Sequence, residues 1–199
     1  MITSMTADGF GPVDFLDASK LSEKELGSAH RNGRTYWLYN NDVATTCDNP
    51  AYARYVYGYY TWMTGVDGMS SWTFQNTQNA SGLPDDVFLA YPDPAGPLPT
   101  LKWEAIREGI DDQKLIYQLS KRIAELHGAG LPAERYEEFL SGIRKTGDGP
   151  SCNCNGTPGW NNLNFQRRRD DLISLIINAD EQLAAGRGSR VHGQQRVLN

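Results

Sequence analysis

Residues 86–119, DVFLAYPDPAGPLPTLKWEAIREGIDDQKLIYQL, carry the strongest fold signal in this chain. They join the end of a strand, a loop punctuated by Pro and Gly, and a long amphipathic helix. Upstream, TYWLYNN at 35–41 and DGMSSWTFQN at 67–76 predict two strands separated by a helix. Repeated strand and helix units of this kind favour a parallel α/β sheet.

Short local signals predict where the elements begin and end. Asn49-Pro50 is a helix start, since Asn accepts from a free amide and Pro suits the first turn, and Gly65 is the matching stop. Thr100 is predicted to cap a helix that runs to about His127, with a bend at Gly109. Apolar residues at helical spacing predict an aromatic stripe that packs on the sheet: Tyr52, Tyr55, Val56, Tyr59, Trp62 and Met63. Further strands are predicted at 2–7 and 12–16, and further helices from Pro132 and from about Leu163.

Composition limits the size of the core and the class of partner. The 199 residues, with 39% hydrophobic and 22% charged, supply one core and a small helical appendix. A net charge of −5 argues against nucleic acid as the main partner. No window reaches transmembrane length and no export signal precedes ITSMTA, so the sequence predicts no membrane partner and leaves the localisation open.

The order of elements predicts part of a TIM-like (β/α) barrel. Three or four parallel strands are expected, whereas a complete eight-fold barrel takes about 250 residues. The predicted division is a partial barrel at 1–127, a C-terminal helical extension at 128–185, and a disordered tail at 186–199 with too little apolar content to fold.

Three blocks resemble the C-terminal half of the catalytic domain of glycoside hydrolase family 123 and the related domain-of-unknown-function 4091 group. The blocks are WLYNN at 37–41, DGMSSWTFQN at 67–76, and FLAYP at 88–92 leading into LPTLKWEAIREGIDD at 98–112. The resemblance covers about residues 1–125, and its third block is the most specific.

The resemblance implies a glycosidase that, in some members, hydrolyses 2-acetamido sugars with retention. There the acetamido oxygen of the substrate attacks the anomeric carbon, while one carboxylate orients that group and a second protonates the leaving oxygen. The family carries these two groups as an adjacent Asp-Glu pair at the end of a strand. The only Asp-Glu step here is Asp180-Glu181, inside the last predicted helix, so the catalytic residues are expected to lie outside this chain.

The remaining candidates follow the predicted strands, where a barrel collects its chemistry. A Trp flanked by amides suits a sugar, which presents apolar C–H faces and hydroxyl groups. Core filling by the Trp and turn formation by the amides explain the same pattern. The predicted substrate-binding residues are Tyr39, Asn40, Asn41, Trp72, Gln75 and Asn76.

Other polar residues have simpler explanations. Asp14 and Asp17 flank a predicted strand end and are either polar groups of the pocket or, as favoured here, turn and cap residues. Arg107 with Asp111 reads as a structural ion pair. His30, His127 and His192 are expected at the surface, and Arg167, Arg168 and Arg169 on a solvated helix face. The three cysteines lack the spacing of a zinc site, so no metal and no cofactor are predicted.

Two functions from different classes remain open. The chain is either the C-terminal part of a glycoside hydrolase, inactive alone, or a non-catalytic half-barrel that binds carbohydrate or pairs with a protein. The first reading, and the carbohydrate-binding form of the second, predict a glycoside as ligand. Because a half-barrel leaves a strand edge unpaired, both also predict association with an N-terminal barrel half or with a second copy.

Overall fold

The computed structural model describes residues 3–5, 13–17, 23–39, 49–71, 74, 89–91, 93–146, 149–150 and 159–196, with side chains described only within 24–186. Four strands form one sheet in the order β1, β2, β3, β4. Their bounds are Thr3–Met5, Val13–Asp17, Thr35–Tyr39 and Gly68–Ser70. β2, β3 and β4 are mutually parallel, which confirms the parallel pairing predicted for the WLYNN and DGMSS blocks, whereas β1 is antiparallel to β2.

Two helices connect the parallel strands. Helix α1, Glu23–Arg31, joins β2 to β3 and is followed by Gly33 at a φ of 66°. Helix α2 joins β3 to β4 through three consecutive segments, Pro50–Tyr55, the π-helical Val56–Tyr60, and Thr61–Thr64. Each connection returns the chain to the same end of the sheet, as parallel pairing requires.

The predicted limits of α2 are confirmed. The Asn49 side chain accepts a hydrogen bond from the Ala51 amide at 3.0 Å, and Pro50 occupies the first turn. Gly65 ends the helix in the left-handed region, at a φ of 72°. Directly after the π-helical segment, the Thr61 hydroxyl donates to the Val56 carbonyl at 2.7 Å. This hydrogen bond gives a partner to a backbone carbonyl in the widened turn.

A small hairpin leads into the longest helix of the matched blocks. β5, Ala90–Tyr91, pairs antiparallel with β6, Leu98–Pro99. Helix α3 then runs over Leu101–Ala129, and the Thr100 hydroxyl accepts from the Trp103 amide, as predicted. Gly130, at a φ of 68°, closes the helix.

Two more helices complete the described chain, α4 over Glu134–Arg144 and α5 over Asn162–Arg196. The backbone of α5 stays helical to Arg196, so the helix extends into the tail predicted at 186–199. Extending an existing helix adds one hydrogen bond per residue and needs no new nucleus, so a segment with little apolar content can continue it.

The apolar residues form two clusters, and the larger one is helical. It joins the aromatic face of α2 to α3, α4 and α5, while the smaller one fills the space between α1 and the sheet. The smaller cluster consists of Ala29, Tyr36, Leu38 and Val66. The aromatic stripe of α2 was predicted to pack on the sheet. Instead Tyr55 and Tyr59 contact Trp160, with ring centroids 4.7 and 5.0 Å apart. Among the described residues, only Tyr60 and Met69 border both clusters.

This shared core crosses the predicted boundary between residues 127 and 128. Leu126 on α3, Tyr136 on α4 and Phe165 on α5 are all fully buried in the same cluster as Tyr59. α4 is also tied to α2, because the Arg144 guanidinium lies 4.1 Å from the Trp62 ring and donates to the Met63 carbonyl at 3.0 Å. In the part of the chain that the structure describes, α2 to α5 are therefore one packed unit.

Gly109, where the sequence predicts a bend, lies where α3 crosses α2. α3 is continuous from Leu101 to Ala129. A Cβ built on Gly109 would overlap the Arg54 carbonyl, and one built on Gly58 would overlap the Gly109 carbonyl. These two glycines let the backbones of α2 and α3 approach closely where the helices cross.

Candidate functional site at the carboxyl edge of the sheet

The three parallel strands end side by side. Asp17, the last residue of β2, is in register with Tyr39, the last residue of β3, and Tyr39 is in register with Ser70, the last residue of β4. Parallel α/β sheets bind their ligands outside this carboxyl edge. The row of Asp17, Tyr39 and Ser70 therefore marks the edge of the sheet on which chemistry is expected.

A partly buried phenol contacts the residue that follows this row. The Tyr57 hydroxyl on the π-helical segment of α2 donates to the Ser71 hydroxyl at 2.9 Å. Burial raises the pKa of Tyr57, and the hydrogen bond to Ser71 opposes that shift in part. The phenol stays protonated at neutral pH, so the pair offers neutral hydroxyl groups next to the edge.

Two aromatic residues that follow β4 in the sequence contact each other. The rings of Phe74 and Trp103 meet edge to face, with centroids 5.1 Å apart and planes at 74°. Phe74 follows β4, and Trp103 lies in the first turn of α3. Both side chains remain partly exposed to solvent.

Only one of the six predicted substrate-binding residues falls in the part of the chain that the structure describes. Tyr39 ends β3 at the carboxyl edge and is half-buried. Asn40, Asn41, Trp72, Gln75 and Asn76 lie outside the described residues. The strands that precede these residues in sequence, β3 and β4, end on the same edge.

Tyr57, Ser71 and Trp103 were not recognised from the sequence. Tyr57 is one residue out of phase with the buried stripe of α2, and the run VYGYY at 56–60 puts aromatic side chains on more than one side of the helix. That excess over a single buried face was the available signal for Tyr57. Trp103 had no such signal, because one Trp near a helix start is equally consistent with core packing.

The Asp-Glu step lies on a helix and not at the end of a strand. Asp180 and Glu181 lie on α5, and the Asp180 carboxylate is paired with the Arg122 guanidinium of α3 at 2.6 Å. Both acidic residues are exposed. Asp180 thus has a structural partner within the helical unit.

A buried charge cluster stabilises the same helical unit. Asp112 on α3 is fully buried and accepts from Arg54 Nε at 2.7 Å and Nη2 at 3.0 Å. Arg169 on α5 donates to the same carboxylate at 2.7 Å, to the Glu108 carbonyl at 2.9 Å, and to the Glu108 carboxylate. Each charged group in the cluster thus contacts a group of opposite charge. This attraction offsets the free-energy cost of desolvating the charges.

The cluster corrects the prediction of a solvated face for Arg167, Arg168 and Arg169. Arg167 is exposed, but Arg169 is buried in the cluster, and the Arg168 guanidinium lies 4.1 Å from the centre of the buried Trp160 ring. Burial lowers the pKa of Arg168. By contrast, the predicted pair of Arg107 and Asp111 is confirmed at the surface, at 3.4 Å.

The two described histidines make ordinary surface contacts. His30 Nε2 lies 2.9 Å from Asp67, and His127 Nε2 lies 2.9 Å from Glu137, with all four side chains at least partly exposed. Among the described residues no three His, Cys, Asp or Glu side chains gather closely enough to hold a metal ion. The part of the chain that the structure describes does not include Cys47, Cys152, Cys154 or the side chain of His192.

The described helices include no segment with the length and apolar content needed to cross a bilayer.

Parallel strands joined by helices, with polar and aromatic residues following their carboxyl ends, define an α/β protein of the kind that binds a small molecule at the edge of its sheet. Residues 12–119, more than half of the chain, match the model of the glycoside hydrolase 123 catalytic domain. The chain belongs to this family, as the three sequence blocks predicted, and the membership indicates a glycosidase function. No curated protein matches the chain in sequence.

Proposed function

We propose that this chain forms one wall of the sugar-binding pocket of a glycoside hydrolase that acts on 2-acetamido sugars. The wall comprises the carboxyl edge of β2, β3 and β4 and the residues that follow, including Tyr39, Asn40, Asn41, Trp72, Gln75 and Asn76. The acid and the acetamido-orienting carboxylate come from outside these 199 residues.

One observation supports the proposal most strongly. Asp17, Tyr39 and Ser70 end three parallel strands in one register row, and all three fall inside the segment that matches the glycosidase domain. In β/α barrels, residues at this edge take part in catalysis and binding.

The chemistry near the edge suits a neutral, hydroxylated ligand. The Tyr57 and Ser71 hydroxyls can each donate and accept, and the amides proposed at 40, 41, 75 and 76 add donors and acceptors of fixed geometry. Trp72 would offer its ring to the apolar face of the sugar. This set binds and orients a substrate but supplies no strong proton donor at neutral pH.

The assignment of catalysis rests on where the acidic residues lie. Substrate-assisted hydrolysis needs one carboxylic acid to protonate the leaving oxygen and one carboxylate to orient the acetamido group. Asp180, in the only Asp-Glu step of the sequence, lies on α5 and is paired with Arg122 of α3, whereas the resemblance implies such a pair at the end of a strand. General acid catalysis contributes roughly 10²- to 10⁴-fold in rate, so the isolated chain is expected to bind without measurable turnover.

The ion pair of Asp180 and Arg122 also favours a second candidate, a non-catalytic module that binds carbohydrate or pairs with another protein. The two candidates differ in one respect. A pocket wall completed by a separate barrel half gains turnover when that half is added, whereas a non-catalytic module does not.

Binding and turnover can be measured on the same preparation. The pure chain is titrated calorimetrically with N-acetylgalactosamine and N-acetylglucosamine and assayed with their 4-nitrophenyl glycosides. Saturable binding that Trp72→Ala or Asn76→Ala weakens about tenfold, without turnover, supports the proposal. Tyr117→Ala, an exposed aromatic on the outer face of α3, is the control and should bind like the parent. Absence of sugar binding, or turnover at a normal enzymatic rate, would contradict it.

A further inference from the structure

Phe74 and Trp103 form an exposed aromatic pair that the packing of the described core does not need. Phe74 is 41% exposed and Trp103 is 37% exposed, and neither belongs to a core cluster. Single exposed apolar residues are common at protein surfaces. Here, however, the two rings contact each other edge to face, with their centroids 5.1 Å apart. Each ring restrains the other, while part of both remains exposed to solvent.

The backbone beneath the pair is fixed by a chain of hydrogen bonds. The Phe74 carbonyl accepts from the Leu89 and Ala90 amides at 3.2 and 3.3 Å. The Leu89 carbonyl in turn accepts from the Thr100 amide at 3.1 Å and from the Thr100 hydroxyl at 2.8 Å. That hydroxyl also accepts from the Trp103 amide at 3.2 Å. The two aromatic residues are thus linked through Leu89 and Thr100, which lowers the entropy cost of holding their rings for a ligand.

In the sequence, Phe74 lies close to the carboxyl edge of the sheet. β4 ends at Ser70, and the residues between Ser70 and Phe74 span at most roughly 14 Å when fully extended. Phe74 and Trp103 both fall within the segment that matches the glycosidase domain. An oligosaccharide that places one sugar in the pocket wall can therefore extend toward the pair.

We propose that Phe74 and Trp103 are a stacking platform for a second sugar unit, the neighbour of the unit held at the carboxyl edge. This inference rests on the proposed function. A pyranose ring presents an apolar C–H face that fits an exposed aromatic face, and the indole N–H can donate to one of its hydroxyls. The platform therefore adds affinity for glycosides longer than one sugar and none for a monosaccharide.

The test compares short and long ligands on variants of the whole chain. Calorimetric titrations use N-acetylgalactosamine and N-acetylglucosamine and their β-linked homotrisaccharides. Trp103→Ala should lower the trisaccharide affinity about tenfold and leave the monosaccharide affinity within twofold. Phe74→Ala, on a residue outside the described helices and strands, should act in the same direction and replaces Trp103→Ala if that variant does not fold. Tyr117→Ala, on the same helix and 73% exposed, should change neither affinity.

The outcomes separate this inference from the proposed function. If the parent binds the sugars and Trp103→Ala and Phe74→Ala bind the trisaccharide like Tyr117→Ala, the platform is refuted while the pocket wall stands. Equal losses for monosaccharide and trisaccharide also refute it, because they indicate a general effect on the pocket. If the parent binds no sugar of either length, the proposed function fails and the platform fails with it. A loss confined to the trisaccharide supports both.

Discussion

Asp111 and Asp112 are neighbours in the sequence with opposite surroundings. Asp111 is exposed and pairs with Arg107 and Lys114, and hydrogen bonding by Lys114 is the main cause that lowers its pKa. Asp112 is fully buried between Arg54 and Arg169. The spacing of Arg107 and Asp111 on one helix predicted the first pair. The partners of Asp112 come from two other helices, so only the folded chain identifies them.

Asp112→Ala should destabilise the protein by about 3 kcal/mol, because it leaves the Arg54 and Arg169 guanidinium groups without their shared buried carboxylate. Urea unfolding monitored by circular dichroism measures the change. Asp111→Ala is the matched control, since solvent screens its ion pairs, and it should change the free energy of unfolding by a small fraction of that amount. Equal effects of the two variants would refute the stabilising role of the cluster.

Tyr59 has a fully buried ring, and its hydroxyl finds no hydrogen-bond partner among the described residues. Tyr59→Phe should therefore raise the free energy of unfolding by about 1 kcal/mol at neutral pH. Burial, and secondly the negative charge of Asp112, raise the pKa of Tyr59 well above its usual value.

The pH dependence of the same variant follows from that shift. Above about pH 10 the unfolded chain loses its phenolic proton while the folded chain retains it, so the parent loses stability as the pH rises. Tyr59→Phe should lose less between pH 8 and pH 11, although the raised pKa values of Tyr57 and Tyr60 leave part of the effect. Urea midpoints at both pH values measure this, and parallel losses in parent and variant would contradict it.

At the scale of elements, local chemistry predicted helix ends well. Asn49-Pro50, Gly65 and Thr100 act within their own turn, and all three lie where their side chains or φ angles indicated. Local chemistry did not predict what each element packs against. The aromatic stripe of α2 was correct as a pattern, but its partner is Trp160 and Phe165, which lie about a hundred residues later in the sequence, rather than the sheet. Periodicity identifies an apolar face without naming what covers it.

The crossing of α2 and α3 gives a sharp test at this scale. Gly109→Ala places a methyl group against the Arg54 carbonyl, so it should destabilise the protein by about 1 to 3 kcal/mol despite the better helix propensity of Ala. Gly128→Ala lies on the same helix with open space around it, and should be neutral or stabilising. Thermal unfolding of the two variants measures the contrast. A stabilising Gly109→Ala would refute the close crossing.

For the whole molecule, the sequence predicted the parallel pairing of β3 with β4 and the family, because those depend on short blocks and their spacing. It did not predict that α2 to α5 share one core across the boundary drawn at 127/128. That core is built from single residues such as Leu126, Tyr136 and Phe165, whose contacts are distant in sequence. Of the predicted site, the register of Tyr39 at the carboxyl edge is established, and the substrate-binding roles remain predictions.

Association is the expected behaviour of the whole chain in solution. Apolar side chains stay exposed on the outer faces of two helices, Ile110 and Tyr117 on α3 and Ile173 and Ile177 on α5. Together with the strand edges expected of the proposed partial barrel, these predict a sedimentation coefficient that rises with protein concentration in the micromolar range. A monodisperse monomer that unfolds cooperatively at high temperature would contradict this prediction.

The most direct test of the central claim is a nuclear magnetic resonance titration of the ¹⁵N-labelled chain with N-acetylgalactosamine and N-acetylglucosamine. If the carboxyl edge forms a sugar-binding wall, saturable shifts should appear at the amides of Tyr39, Ser70 and Ser71 and at the Trp72 indole. The opposite edge, at Val13 and Thr35, should stay unchanged. No shifts at saturating sugar, or shifts centred on the opposite edge or on the outer faces of α3 and α5, would contradict the account.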